Sequence, residues 1–458
     1  MTTHALTLPR ERPYGLYAIS FGFFLVLLDT TALNVATASI ERELASTISG
    51  LQWIVNSYTI VFASLVLSAG AIGDRYGAKR LYQIGLFLFT VMSLFCALSP
   101  SVGALIVLRM LQGLGAAIML PASLALLSHL YPGAAERARA VSLWASVVSL
   151  GFAAGPALGG ALTYWFGWRS IFLINVPVGV VAMLMIRAFV EETRITDARR
   201  IDWVGQGALA LSLFALTYAL IEAGRSGWLA PHILAAFATT VLLVALFVAI
   251  ERRSASPVLP RLLFGRSAFS VCIAVGVMVN FGMYGTLFIE SLYLQSARHL
   301  SPLAAGLMIL PFTVLPTITT RAIDRFDATM HFKPRLVTGH VIGIVGAAVM
   351  ALSLWTSGST AILVGLGLLG IAMGYIMPAM TTGVLTSSSA EMSGRASGIL
   401  NAGRQVGGSI GVAMMGTLVQ MQHGRGMLIS FALVLLGFLV MAVVSARAIS
   451  FAPVKGGH

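Results

Sequence analysis

Two charged side chains, Asp29 and Arg109, are set inside long apolar stretches of a 458-residue sequence. An ionisable group at the centre of a membrane span costs about 2.5–3.5 kcal/mol on insertion scales, so such groups are usually functional or paired. A carboxyl group there can take up and release a proton, and a neighbouring cation favours its charged form. The alternative interpretation is a permanent ion pair that only fixes the packing of two helices.

The elements that must position these residues are predicted to be membrane-spanning helices. Hydrophobic residues make up 58% of the chain and charged residues only 10%, against about 25% charged residues in a soluble domain. Apolar stretches of about 20 residues, enough to span a bilayer as a helix, recur along the whole chain. We therefore predict an all-α polytopic membrane protein with about fourteen spans, at 15–37, 50–72, 82–99, 102–128, 140–163, 170–189, 203–222, 229–250, 268–293, 302–320, 336–356, 360–386, 396–420 and 427–446.

The spans place Asp29 and Arg109 at one depth. At about 1.5 Å per residue, Asp29 lies about 21 Å from the start of the first helix, and Arg109 about 10 Å from the start of the fourth. These helices begin on opposite sides of a hydrocarbon core about 30 Å thick. We therefore expect the two side chains to face each other or to share a water-filled cavity.

The net charge of +13 is distributed as a membrane topology requires. With the N-terminus in the cytoplasm, most of the 29 Lys and Arg residues fall on the cytoplasmic side, as the positive-inside rule demands. Both termini are then cytoplasmic. Because the charge is spread over short loops, it does not indicate a nucleic-acid partner.

Similar features recur at equivalent places in the two halves of the sequence. They are Gly73–Tyr76 with Ile323–Phe326, and Gly151, Gly155 and Gly159 with Gly403, Gly407 and Gly411. A duplication of six-helix halves is a known transporter plan. It predicts one six-helix bundle at 1–200, an inserted helix pair at 201–258 and a second bundle at 259–458.

Four motifs resemble the fourteen-helix drug:proton antiporter branch of the major facilitator superfamily, at Leu28–Ala36, Gly70–Arg80, Arg109–Gly115 and Gly151–Gly160. Further stretches are similar to that branch and to methylenomycin-resistance exporters, at Phe166–Pro177, Asn280–Gln295 and Asn401–Gly408. The resemblance implies the major facilitator fold and proton-coupled export of small, amphipathic or drug-like molecules by alternating access. It also implies a bacterial inner membrane.

Proton coupling is predicted for Asp29, Arg109 and Glu290, although Glu290, near the end of its helix, is equally compatible with a solvated residue. Residues four apart share a helix face, and glycine there lets another backbone approach closely, while proline favours a kink. In the resembling family the loop after the second helix latches one state; here its basic residues can also act only as topology anchors. The residues predicted to gate the conformational change are Gly70, Asp74, Arg75, Gly77, Arg80, Gly151, Gly155, Pro156 and Gly159.

Several polar and aromatic residues inside spans are candidates for contact with a substrate, since a drug-sized ligand suits apolar walls with a few polar groups. Ordinary helix packing is the alternative for each of them, and Arg404 is expected to have a structural role. The candidates are Asn34, Gln52, Asn56, Tyr58, Gln112, Asn280 and Tyr284.

Other chemistries find little support in the sequence. The histidines lack metal-ligand spacing, Cys96 and Cys272 suit apolar packing, and no phosphate-binding loop for ATP is present. We therefore expect no enzyme activity, no metal and no cofactor beyond the coupling proton. The expected partners are a small-molecule substrate, protons and the lipid bilayer, for a monomer. Alternatives are an exporter of one metabolite, sugar or self-made antibiotic, or a receptor that does not transport.

Overall fold

A computed structural model describes residues 12–192, 203–253, 261–326, 330–356, 358–389, 392–422 and 424–449. Within these ranges the chain forms helices and no strands, and a π-helical turn at Tyr293–Ala297 follows α11. The helices are α1 (Arg12–Glu43), α2 (Ile48–Tyr76), α3 (Ala78–Ala97), α4 (Val102–Leu130), α5 (Ala134–Phe166), α6 (Ser170–Leu173), α7 (Asn175–Phe189), α8 (Trp203–Ser226), α9 (Pro231–Arg253), α10 (Arg261–Phe264), α11 (Ser267–Leu292), α12 (Pro302–Phe326), α13 (Phe332–Ser353), α14 (Thr360–Thr386), α15 (Ser393–Gln422) and α16 (Gly424–Ala448).

The helices have the length and composition of membrane spans. In the described part of the chain, twelve segments are long and apolar enough to cross a bilayer: α1, α3, α4, α5, α6 continued into α7, α8, α9, α11 with its π-helical turn, α12, α13, α14 and α16. Helices α2 and α15, outside that set, are 29 and 30 residues long. The predicted all-α polytopic fold is confirmed, and the number of fourteen spans stays a prediction.

Local sequence signals begin and end these helices. The hydroxyls of Thr47 and Ser101 accept the backbone N–H groups of Gly50 and Ala104, which satisfies free donors at the first turns of α2 and α4. Gly77 has a φ of 92°, a conformation that suits glycine. Because of it, α3 begins directly after α2 ends.

The chain divides into two compact units, Met1–Ala210 with Leu294–Leu307, and Leu211–Tyr293 with Met308–His458. In the first unit, α1 packs on α5 and α7, and α3 packs on α4 and α7. In the second, α11 packs on α15 and α16, and α13 packs on α14 and α16. These are the equivalent pairs under the predicted duplication. The three-part division at residues 200 and 258 stays a prediction.

In the second unit, α8 is joined to α15 by hydroxyl groups. Thr217 Oγ1 lies 3.3 Å from Ser409 Oγ, and Thr417 Oγ1 donates to the carbonyl of Leu220 at 2.7 Å. A small apolar cluster joins α8 to α9 and is formed by Ala219, Ala223 and Ile233.

Candidate functional site

Asp29 and Arg109 form an ion pair in the core of the first unit. Arg109 Nη1 lies 2.5 Å from Asp29 Oδ2, and each side chain is only 1% exposed. Asp29 comes from α1 and Arg109 from α4, so the structure brings together the two charges that their depth in the spans predicted to meet. Their role in proton coupling stays a prediction.

The Asp29 carboxylate is held by two amide side chains in addition to Arg109. Gln112 Nε2 and Asn175 Nδ2 donate to Asp29 Oδ1 at 3.2 Å and 3.1 Å. Asn175 also donates to Ser93 Oγ at 3.0 Å, and the Ser93 hydroxyl donates to the carbonyl of Phe172. Helices α1, α3, α4 and α7 therefore all contribute to one buried polar network, which satisfies a charge that burial would otherwise penalise.

The guanidinium of Arg109 has partners of its own. Its Nη1 donates to Gln112 Oε1 at 2.7 Å, and its Nε donates to the carbonyl of Ile54 at 3.5 Å. Its Cζ lies 4.3 Å from the ring centroid of Tyr58 and 5.8 Å from that of Phe172. Cations are attracted to aromatic faces at this range. Tyr58 and Gln112, two of the predicted substrate contacts, thus both contact the Arg109 guanidinium.

Arg109 has contacts that do not depend on the charge of Asp29. A proton on Asp29 would neutralise the carboxylate and remove the charge that balances Arg109. The guanidinium would keep the Gln112 oxygen, a backbone carbonyl and two aromatic faces. A buried cation that loses its counter-charge but keeps these contacts is less costly than a bare one. Arg109 would therefore keep partners if the carboxylate were neutral.

The predicted glycine face of α5 packs directly on α1, beside Asp29. The residues it meets, on the segment 24–32, lie on both sides of Asp29 along the helix. A Cβ atom would lie 2.6 Å from Phe24 O at Gly151, against Thr31 Oγ1 at Gly155 and 2.6 Å from Ala32 Cα at Gly159. Glycine is required at Gly151 and Gly159 because the two backbones touch, and at Gly155 because the Thr31 side chain fills the space. Helix α1 therefore has close backbone packing on α5, and its polar network is formed with α3, α4 and α7.

The first turn of α3 binds a carboxylate side chain that the sequence did not predict to lie there. The Glu192 carboxylate accepts the backbone N–H groups of Lys79 and Arg80, each at 2.9 Å. The N-terminal end of a helix carries free N–H groups and a partial positive charge, so it attracts carboxylates. A Cβ atom on Gly77 would lie 2.7 Å from the Glu192 carboxyl carbon. Glycine at this position thus gives Glu192 room to reach the end of α3.

The other predicted gating residues have less defined surroundings. Arg75 and Arg80 have exposed side chains, and the side chain of Asp74 lies outside the described part of the structure. A Cβ atom on Gly70 would be 3.7 Å from its nearest neighbour, a Pro121 carbon, which is ordinary contact. Pro156 is accommodated inside α5, and its carbonyl packs against Gly306 of the same unit.

Among the substrate candidates of the first unit, Asn34, Gln52 and Asn56 are all fully buried. Asn34 Nδ2 donates to the carbonyl of Thr30, whereas Asn34 Oδ1 has no hydrogen-bond partner in the described residues. Neither the Nδ2 nor the Oδ1 atom of Asn56 has a partner there. Unpaired buried amides are unusual. Asn56 therefore retains its full hydrogen-bonding capacity for a ligand or water.

In the second unit, the candidates Asn280, Tyr284 and Glu290 lie on α11 and are 1%, 7% and 1% exposed. Glu290 is thus buried, and its role in proton coupling stays a prediction. Asn280 Oδ1 accepts a hydrogen bond from Arg404 Nε at 3.3 Å. Across the described ranges, no group of His, Cys, Asp and Glu is arranged to hold a metal ion.

Sequence reasoning assigned no role to Asn175, Ser93 or Glu192. Asn175 had a signal, because it is a polar residue in the apolar part of the Phe166–Pro177 stretch. Ser93 had none, since small hydroxyl residues are common in membrane helices and bond to their own backbone. Glu192 follows α7 and is distant in sequence from the loop that it contacts.

These observations define a polytopic, all-helical membrane protein of the transporter fold. The chain is similar to a solved peptide transporter bound to sulfate, with a TM-score of 0.72, 15% identity, and coverage of 95% of this chain and 94% of that one. Residues 19–412 match the Major Facilitator Superfamily. The chain belongs to this superfamily and is a transporter rather than an enzyme.

Two bacterial relatives place the chain within the superfamily. The multidrug resistance protein Stp of Mycobacterium tuberculosis is 37% identical over 410 residues, which are 90% of this chain and 76% of the relative. The methylenomycin A resistance protein of Streptomyces coelicolor is 35% identical over 447 residues, 96% of this chain and 94% of the relative. The predicted resemblance to methylenomycin-resistance exporters of this superfamily is confirmed.

Proposed function

We propose that this transporter exports small amphipathic or drug-like molecules in exchange for protons by alternating access. The buried Asp29 carboxylate, held by Arg109, Gln112 and Asn175, is the observation that carries the proposal. The names of the relatives, a multidrug and an antibiotic resistance protein, support drug export. The protein acts in a bacterial inner membrane as a monomer with both termini in the cytoplasm.

Proton binding at Asp29 changes what holds α1 in place. With the carboxylate charged, α1 is bound to α4 through Arg109 and Gln112, and to α7 through Asn175. Protonation removes the carboxylate charge from these hydrogen bonds while Arg109 stays charged, and hydrogen bonds with an ionised partner are about twice as strong as neutral ones. The glycine contact with α5 does not depend on charge. Protonation therefore loosens α1 from α4 and α7 while it stays packed on α5.

The energy of one proton is sufficient for useful export. A proton that enters across about 100 mV releases roughly 2.3 kcal/mol, and one pH unit adds about 1.4 kcal/mol. At about 1.4 kcal/mol per tenfold, the sum sustains a substrate gradient of several hundred-fold.

The test uses proteoliposomes with an imposed pH gradient and a pH-sensitive dye inside. Lipophilic cations, neutral antibiotics and small metabolites are added one at a time, and a transported compound dissipates the gradient. Asp29→Asn is expected to abolish this signal and leave the protein folded. The matched control is Asp324→Asn, because Asp324 is 60% exposed and forms only a surface ion pair. Full pH-driven transport by Asp29→Asn contradicts the proposal.

A second candidate function is export of one antibiotic or metabolite rather than many drugs. It is favoured by the relative that is named for resistance to a single antibiotic, methylenomycin A. The same panel separates the two functions: a gradient dissipated by one compound class alone indicates the narrower exporter.

A further inference from the structure

Arg404 is a second basic residue inside a long helix, and its surroundings differ from those of Arg109. It lies about 16 Å along α15 from Ser393 and is partly buried. Arg109, Arg169 and Arg335 each form an ion pair with an acidic residue. Arg404, by contrast, has no acidic partner in the parts of the chain that the structure describes.

The side chain of Arg404 lies along one face of α11. A Cβ atom on Gly276 would be 3.3 Å from Arg404 Cγ, and Arg404 Nε donates to Asn280 Oδ1 at 3.3 Å. Tyr284, one turn further on, packs its ring against Gly408 of α15. Residues 276, 280 and 284 are four apart and share a helix face. Glycine at 276 leaves space for the arginine stem.

The hydrogen-bond donors of Arg404 are mostly unused. A guanidinium has five N–H donors in a planar fork, and only the Nε donor has a partner among the described residues. A cation in a membrane span is costly and is usually retained for a function or a partner. The fork fits two oxygens of a carboxylate at once.

We propose that Arg404, together with Asn280 and Tyr284, forms a recognition site for a carboxylate group of the exported molecule. The proposal rests on the proposed export function and adds a substrate class to it. Arg404 supplies the charge and two parallel N–H donors, while Asn280 fixes the orientation of the guanidinium through Nε. The ring of Tyr284, packed against Gly408 of α15, lies one turn from Asn280 on the same face of α11. Cationic molecules are disfavoured at this position by charge repulsion.

The test compares two probes of equal shape, naphthalene-2-carboxylate and naphthalene-2-carboxamide. Their equilibrium binding is measured on the purified full-length protein in phosphatidylcholine nanodiscs. We expect the carboxylate to bind about 10- to 100-fold more tightly than the carboxamide, as for hydrogen bonds to a charged group. Equal affinities for the two probes overturn the proposal, and this result needs no variant that must fold.

Variants at position 404 test whether Arg404 is the source of the preference for the carboxylate probe. Arg404→Gln is expected to bring the affinity ratio to about one without changing carboxamide binding, whereas Arg404→Lys retains part of the preference because it keeps the charge without the fork. Arg447→Gln removes an exposed arginine at the end of α16 and serves as the control. A full carboxylate preference in Arg404→Gln overturns the assignment.

Two further measurements distinguish carboxylate recognition from lipid binding and from proton coupling. A lipid phosphate is another oxyanion, so nanodiscs with phosphatidylglycerol are compared with phosphatidylcholine alone. Enrichment of phosphatidylglycerol that depends on Arg404, without any carboxylate preference in phosphatidylcholine, overturns the proposal in favour of a lipid site. Asp29→Asn is expected to keep the binding preference, since binding does not need proton coupling. Failure of pH-driven transport with an intact preference then concerns the export mechanism alone.

Discussion

The buried pair of Asp29 and Arg109 predicts an unequal response to the loss of either partner. Arg109→Met leaves the carboxylate with two neutral donors, those of Gln112 and Asn175. Asp29→Asn leaves the guanidinium with an amide oxygen, a carbonyl and two aromatic rings. Removal of one partner of a buried pair typically costs about 3–5 kcal/mol. We expect Arg109→Met to lower the free energy of unfolding by an amount in this range, and Asp29→Asn to lower it by less, about 1–3 kcal/mol.

The double variant Asp29→Asn/Arg109→Met leaves no buried charge at this position. Its cost is therefore expected to fall below the sum of the two single costs by about 1–3 kcal/mol, which is the coupling of residues in direct contact.

The free energy of unfolding is measured by reversible titration with sodium dodecyl sulfate, with helix content followed by circular dichroism. Arg169→Met is the control, because its ion pair with Glu43 is partly exposed and such pairs contribute about 0–1 kcal/mol. Single costs equal to that control, or a double cost equal to the sum within about 0.5 kcal/mol, would refute the energetic coupling of the pair.

Three further predictions concern other parts of the first unit. Gly155→Ala places a methyl group against Thr31 Oγ1, so it is expected to lower the free energy of unfolding by about 1–3 kcal/mol and to slow transport. Gly70→Ala has room for the methyl group and is expected to be stabilising or neutral. Unfolding in detergent and flux assays check both variants. Glu192→Gln removes the charge at the start of α3, so the first-turn amides of α3 are expected to exchange with deuterium several-fold faster, at about 0.5–1 kcal/mol; unchanged exchange contradicts the capping role. Asn56→Leu removes an amide without partners among the described residues, so the free energy of unfolding is expected to stay the same or to rise by about 1–3 kcal/mol. Transport of substrates that bind this amide is expected to fall. Unchanged transport shows that Asn56 makes no substrate contact.

The helices could be predicted from the sequence because the bilayer sets their minimum length. The fourth predicted span, 102–128, agrees with α4 at Val102–Leu130. The first, 15–37, is shorter than α1 at Arg12–Glu43, since polar residues at a helix end leave the apolar core without ending the helix. The meeting of Asp29 with Arg109 was also predictable, because depth in a membrane is nearly a linear function of position along a helix.

Contacts that depend on helix rotation were beyond prediction. Asn175 reaches Asp29 only because α7 turns that face toward α1, and no periodicity in an almost uniformly apolar helix reveals its orientation. Glu192 meets α3 through the path of the chain after α7, which is a tertiary property. The lack of an acidic partner for Arg404 within the described residues likewise depends on the positions of its neighbours on α11, whereas the sequence indicated only a structural role.

The hydroxyl contacts between α8 and α15 bear on how proteins of this architecture gain or lose helices. If α8 and α9 were deleted, Thr417 and Ser409 would face hydrocarbon, where a hydroxyl must find an acceptor on its own helix. Lipid tails would take the place of Thr217 and the Leu220 carbonyl beside α15. A shorter protein without α8 and α9 could therefore keep these hydroxyls on α15 only if each bonded to its own helix backbone.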